Sequence, residues 1–188
     1  MFLYVRNLKT MEQAQKAIAK GAVALAVSLS ANRNMEAENT RTWLEEIPMH
    51  ILKIGEFDSE LYYDIEELVT FCHLDIVLLR DLKTVKDFHH YTGRVMIEIT
   101  EWELQDMKRF DEEAYKLFME TADGIRLRVT DYTNLDNPLF WQYLRDLQIP
   151  IFLTADFESG SIEQAMAVCE EQKIPNLVAL FVDYEDLV

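Results

Sequence analysis

The chain has 188 residues, 49% of them hydrophobic, enough to bury a full core in one large domain or two small ones. Its 34 acidic against 18 basic residues leave a net charge of −16, a field that repels nucleic acid and anionic lipid head groups and argues against both as partners. No apolar run reaches the ~18 residues of a membrane span and nothing resembles a signal peptide, so the expected setting is the cytoplasm.

Taken in chain order, short β-rich runs alternate with amphipathic helical patterns. A strand is predicted over Phe2–Asn7, and Thr10 with Gln13 then has capping-box spacing for a helix. The second strand, Ala22–Ser30, sets Val23, Leu25, Val27 and Leu29 against small residues on the alternate face. The third is His50–Phe57, and after it Leu61, Ile65, Leu68 and Cys72 form a helical stripe. The fourth and fifth strands are Leu74–Arg80 and Arg94–Thr100, the latter alternating Val95, Ile97 and Ile99 with Met96, Glu98 and Thr100. The sixth, Gly124–Asp131, carries Ile125, Leu127 and Val129 on one face and Arg126, Arg128 and Thr130 on the other. Asn137 before Pro138 reads as a helix N-cap and first helical residue, followed by a stripe of Leu139, Phe140, Tyr143, Leu144 and Leu147. The seventh strand is Pro150–Asp156, Ser161 with Gln164 starts another helix, and the eighth strand is Leu177–Tyr184.

Eight strands with seven intervening helices, and no linker between them, imply a parallel sheet with crossover helices over residues 1–188 as a single domain. An open doubly wound sheet would bury both faces of its central strands, whereas several strands here are apolar on one side only. The expected fold is therefore a (βα)8 TIM barrel, compact and lacking the final helix, because the sequence stops almost directly after the eighth strand. Cys72 and Cys169 both fall among apolar neighbours and read as free buried thiols, with a disulfide as the alternative. No two histidines among His50, His73, His89 and His90 have zinc spacing, and no nucleotide or flavin loop is present, so neither metal nor cofactor is expected.

The segments "YVRNLKTMEQAQKAIAKGAVALAVSLS", "ANRNME" and "LDIVLLRD" follow one another in an order and spacing that resembles phosphoribosylanthranilate isomerase, a (βα)8-barrel enzyme of tryptophan synthesis. The resemblance implies an Amadori rearrangement, which needs a general acid and a general base on opposite sides of the substrate. It also matches Arg6 to the family's basic cysteine, Arg128 to its acidic aspartate and Arg33 to its loop arginine. Arginine stays protonated in proteins, so neither Arg6 nor Arg128 can shuttle a proton. The family's glycine-rich phosphate turns are replaced by "DYTNLDN", "TADFESG" and "FVDYED". The expectation is a non-catalytic barrel used for ligand sensing or protein association. The alternative is a divergent enzyme acting on a small anionic metabolite, with Glu98 or Asp156 as acid/base.

By the phase of the resemblance, Tyr4, Arg6, Arg80, Glu98, Arg126, Arg128, Thr154, Asp156 and Asp183 point into the barrel. Two arrangements satisfy these charges. The arginines can form a closed ion-pair network with Glu98, Asp156 and Asp183, or Arg6, Arg33, Arg80 and Arg128, beside Asp183, can bind a small anion by two-point contact. Finally, with no full helix after the eighth strand, Val178, Leu180 and Val182 should stand bare beside Leu3 and Val5. A homodimer through that eighth-strand gap is expected to cover them.

Overall fold

A computed structural model describes residues 1–29, 34–129, 137–155 and 162–187. The strands β1 (Phe2–Arg6), β2 (Ala22–Ser28), β3 (Leu52–Phe57), β4 (Ile76–Leu79), β5 (Arg94–Thr100), β6 (Gly124–Val129), β7 (Ile151–Ala155) and β8 (Leu177–Asp183) close into one barrel in sequence order. All eight pairings are parallel, including β1 with β8, where Tyr4 lies opposite Phe181 and Arg6 opposite Asp183. The fold is the expected (βα)8 barrel. No described helix is long and apolar enough to cross a membrane.

The crossovers are less regular than the alternation suggests. Helices α1 (Met11–Ala19), α2 (Asn34–Leu44), α3 (Tyr62–Cys72), α6 (Pro138–Asp146) and α7 (Ile162–Glu171) each follow one strand. Between β4 and β5 the chain makes only 3-10 turns, Leu82–Phe88, begun by the Asp81 carboxylate accepting from the Lys83 N–H at 2.9 Å. Between β5 and β6 stand two helices, α4 (Glu101–Phe110) and α5 (Glu112–Thr121). Local chemistry sets these starts. Thr100 and Glu103 form a reciprocal capping box on α4, at 3.2 Å for Glu103 N–H to Thr100 Oγ1 and 2.9 Å for Thr100 N–H to Glu103 Oε2. Thr10 caps α1 as expected, but the Gln13 side chain accepts from the Lys9 N–H and not from that of Thr10. The Asn137 side chain accepts from the Leu139 N–H at 3.0 Å, with Pro138 in the first turn. The Ser161 cap lies outside the described residues.

Two apolar layers result. The outer one packs the outward strand residues, such as Val5, Leu25, Val27, Ile97, Leu127 and Leu180, against the helices. The inner one fills the barrel with Tyr4, Ala24, Ala26, Ile54, Leu78, Met96, Phe152 and Phe181. Ile65, Leu68 and Cys72 of the α3 stripe are buried, but Leu61 precedes the helix and is exposed. Leu139 is likewise exposed at the start of α6, and Trp141 takes its place in the core. Cys72 and Cys169 are free and buried.

The eighth-strand gap differs from expectation in two ways. First, β8 shifts register against β7 between Ile151 and Phe152, which turns Val178 to the inner layer. Second, the single-turn helix α8 (Tyr184–Leu187) follows β8 and packs against it and against α1. Tyr184 and Leu187 join the same outer layer as Leu3, Val5, Leu180 and Val182, none of which is more than 6% exposed in one chain. The apolar gap is closed within the chain, which removes the stated cause for a homodimer there.

Candidate functional site at the barrel mouth

Alternation along parallel strands sends every second side chain inward, and the inner face changes from apolar to charged towards the strands' C-terminal ends. On β3, Ile54 is followed inward by Glu56; on β5, Met96 by Glu98 and Thr100; on β6, Gly124 by Arg126 and Arg128. Phe152 is followed by Thr154, and Phe181 by Asp183. The charged layer therefore sits at the end of the barrel that faces the βα loops, where barrels of this kind place their sites.

Arg126 is the centre of this layer and has no exposure at all. Its Nη1 donates to Glu56 Oε1 at 2.7 Å and its Nε to Thr154 Oγ1 at 3.0 Å. Glu98 Oε2 lies 3.2 Å from the same Nη1, close enough for an ion pair but off the N–H direction. The guanidinium carbon stands 4.8 Å over the Phe181 ring, a cation–π contact in a dry setting. The remaining nitrogen, Nη2, is buried without an acceptor among the described residues.

The other arginines ring this centre nearer to solvent. Arg6 is ion-paired through Nε with Asp183 Oδ1, which also accepts from Asn7 Nδ2 at 3.0 Å. Burial works against the Arg6 charge, but the fields of Glu56, Asp183 and Glu98 outweigh it and hold its pKa above the ordinary value. Arg80 reaches Asp58 at 3.2 Å and Glu98 at 3.7 Å. Arg128, 46% exposed, lies 3.8 Å from the other oxygen of Glu98. Glu98 is thus shared by three guanidiniums.

Arg6, Arg80, Glu98, Arg126, Arg128, Thr154 and Asp183 stand together in the mouth, as their strand parity suggests. Arg33 and Asp156 lie outside the described residues. Glu56 is the residue that sequence reasoning missed. It is 2% exposed, accepts from Ser28 Oγ at 3.2 Å and carries the shortest ion pair to Arg126. Burial pushes its carboxyl up to about 7, with the like charge of Glu98 adding to the shift and Arg6, Arg80 and the Ser28 hydroxyl opposing it. The signal for it, weak because Lys53 falls on the opposite face, is its phase: Glu56 stands two residues after the apolar Ile54. No described group of three or more His, Cys, Asp or Glu could hold a metal ion.

A closed eight-stranded parallel barrel with charged side chains gathered at its C-terminal mouth defines a (βα)8 barrel of the type that carries sites on its βα-loop face. Within that class, the solved structures it resembles include phosphoribosylanthranilate isomerases. One of them, in complex with reduced 1-(o-carboxyphenylamino)-1-deoxyribulose 5-phosphate, superimposes with a TM-score of 0.71 at 18% identity over 97% of this chain and 87% of that one. The enzymes from Thermus thermophilus (TM-score 0.69, 14% identity, 100% of this chain and 94% of that one) and Thermotoga maritima (0.68, 16%, 97% and 87%) are similar. A mandelate racemase/muconate lactonizing enzyme-like protein from Rubrobacter xylanophilus also matches, with a TM-score of 0.63 at 14% identity over 98% of this chain and 52% of that one. At these identities the likeness is one of fold. No protein-family model matches the chain, and no curated protein matches its sequence.

Proposed function

We propose that the chain is a non-catalytic barrel that senses a small anion at its mouth, and that it does not carry out the isomerase reaction. The observation that carries this reading is the sharing of one carboxylate, Glu98, by Arg80, Arg126 and Arg128 at 3.7, 3.2 and 3.8 Å. Two of these contacts are longer than a hydrogen bond, so Arg128 keeps donors free of close acceptors among the described residues, while Arg80 has Asp58 at 3.2 Å. A carboxylate or phosphate bridging Arg128 and Arg80 would gain charge-assisted, two-point hydrogen bonds. The isomerase complex among the similar structures holds a ligand that is, by its name, a phosphate and a carboxylate. Arg6 and Arg128, which the resemblance sets at the base and acid positions, stay protonated and supply charge but no general base or acid.

Calorimetric titration with inorganic phosphate and with small dicarboxylates tests the reading. Saturable binding that weakens tenfold or more in Arg128→Gln supports it. Absence of binding, or binding indifferent to Arg128→Gln and Arg80→Gln, overturns it. In a tryptophan auxotroph lacking the isomerase, the chain should fail to restore growth.

A second reading, a divergent enzyme acting on a small anionic metabolite, draws on Glu56. A carboxyl poised near 7 at a barrel mouth is suited to general acid–base work, although this one is enclosed by Arg126 and Ser28. Turnover of a bound anion that disappears in Glu56→Gln would favour it.

A further inference from the structure

The end of the barrel opposite the charged mouth holds a separate cavity of about 340 Å³. Most of its wall is the lower rim of the inner layer: Tyr4, Leu52, Ile76, Met96, Phe152 and Val178. Two features of the chain keep this space open. Gly124 begins β6 with no side chain, and a Cβ there would stand 2.7 Å from the Phe152 ring. The register shift in β8 places Val178 in the wall, where a continued alternation would have sent it outward. Above the cavity, Tyr4, Phe152 and Phe181 pack with ring centroids 5.2, 5.2 and 6.4 Å apart, and Arg126 lies on the far side of Phe181. The cavity is therefore distinct from the site at the mouth.

Its rim carries one cation. Arg94, the first residue of β5, lines the opening, is exposed, and makes no ion pair or side-chain hydrogen bond among the described residues. On a chain of net charge −16 an unpaired guanidinium beside an apolar hollow is out of keeping with its surroundings. The lining also holds Asp123, whose carboxylate accepts one N–H, from Val95 at 2.8 Å, so a bound carboxylate must meet Arg94 on the side away from it. The volume falls at the lower end of the ~300–1,000 Å³ typical of ligand pockets, which restricts the occupant to one ring or a short chain.

We propose that this N-terminal cavity is a second binding site, taking a small monocarboxylic acid whose apolar body fills the hollow and whose carboxylate meets Arg94. The apolar body gains by leaving water, and the guanidinium fork fixes its polar end at the rim. Uncharged molecules of the same shape lose the second contribution. Anions without an apolar body lose the first.

Methyl NMR on protein carrying 13C-methyl methionine tests the site directly, with Met96→Leu used to assign the Met96 signal. Benzoate and hexanoate are the probes, and benzamide and acetate are the controls. Saturable movement of the Met96 methyl with benzoate or hexanoate is expected, at least tenfold weaker with benzamide or acetate. Arg94→Gln, an exposed replacement at a strand start, should weaken benzoate at least tenfold, and Val178→Phe should fill the hollow and abolish the response. The proposal is overturned if neither acid moves the Met96 methyl at millimolar concentration, if benzamide binds as well as benzoate, or if Arg94→Gln leaves the affinity unchanged.

Discussion

The barrel mouth turns on single side chains whose charges depend on one another. Removing one partner of a buried ion pair leaves the other uncompensated, which costs on the order of 3–5 kcal/mol. Glu98→Ala strips a shared counter-ion from Arg126, Arg80 and Arg128, and a loss of that size is expected in urea unfolding. A negligible loss would show that Arg126 is held by Glu56 and Thr154 alone. Glu56 adds a pH dependence with a definite sign. Its carboxyl is raised from 4.5 to about 7 in the fold, so the native state holds the proton more tightly than the unfolded chain. Its contribution to stability is then greatest below about 4.5 and falls as pH rises to about 7. The span corresponds to roughly 3 kcal/mol. Glu56→Gln should flatten the stability profile over that window relative to the parent chain, and an unchanged slope would assign the proton to another group.

The elements show which features of sequence carry structural information. All eight strands are legible because β-rich runs bounded by polar turns leave little choice of period. Strict alternation separates the two faces of β5 and β6, the phase of the resemblance picks out the inward one, and together they gather Glu98, Arg126 and Arg128. In β3 the charges Lys53 and Glu56 fall on opposite faces, so alternation alone gave no preference, and Glu56 was missed. Gly55 adds to that ambiguity. It lies on the outward face where a Cβ would come within 2.5 Å of Leu74, so close packing replaces the apolar side chain that would have marked the face. In β8, pattern reading put Val178 outside because a register shift is a property of the strand pair and not of one strand. The capping box of α4 was hidden because Thr100 also ends β5. Thr100→Ala should cost about 1 kcal/mol through that cap, measurable by thermal unfolding. A neutral result would mean that Glu103 alone suffices to hold the helix start.

For the whole molecule, the dominant quantities are closure of the barrel and a large excess of negative charge. Leu180 is fully buried under α8 and α1 in a single chain, so Leu180→Glu should abolish cooperative unfolding and not merely change an association state. Sizing chromatography with light scattering, alongside circular dichroism, separates these outcomes. A folded variant with reduced mass would restore an interface between copies at this edge. The net charge of −16 also opposes compaction through self-repulsion. Salt that shortens the screening length from about 30 to about 8 Å should therefore raise Tm. A fall in Tm would mean that the mouth ion pairs, rather than the surface excess, govern the response.

The three aromatic rings of Tyr4, Phe152 and Phe181 lie across the barrel axis between the guanidiniums above and the aliphatic side chains below. Such a septum is a wall of ring carbon in which the Tyr4 hydroxyl is the one polar side-chain group. The same rings also join the two ends: Phe181 touches both Arg126 and Tyr4, so a change of side chain at the charged end is passed to the wall of the apolar cavity through packed aromatic carbon.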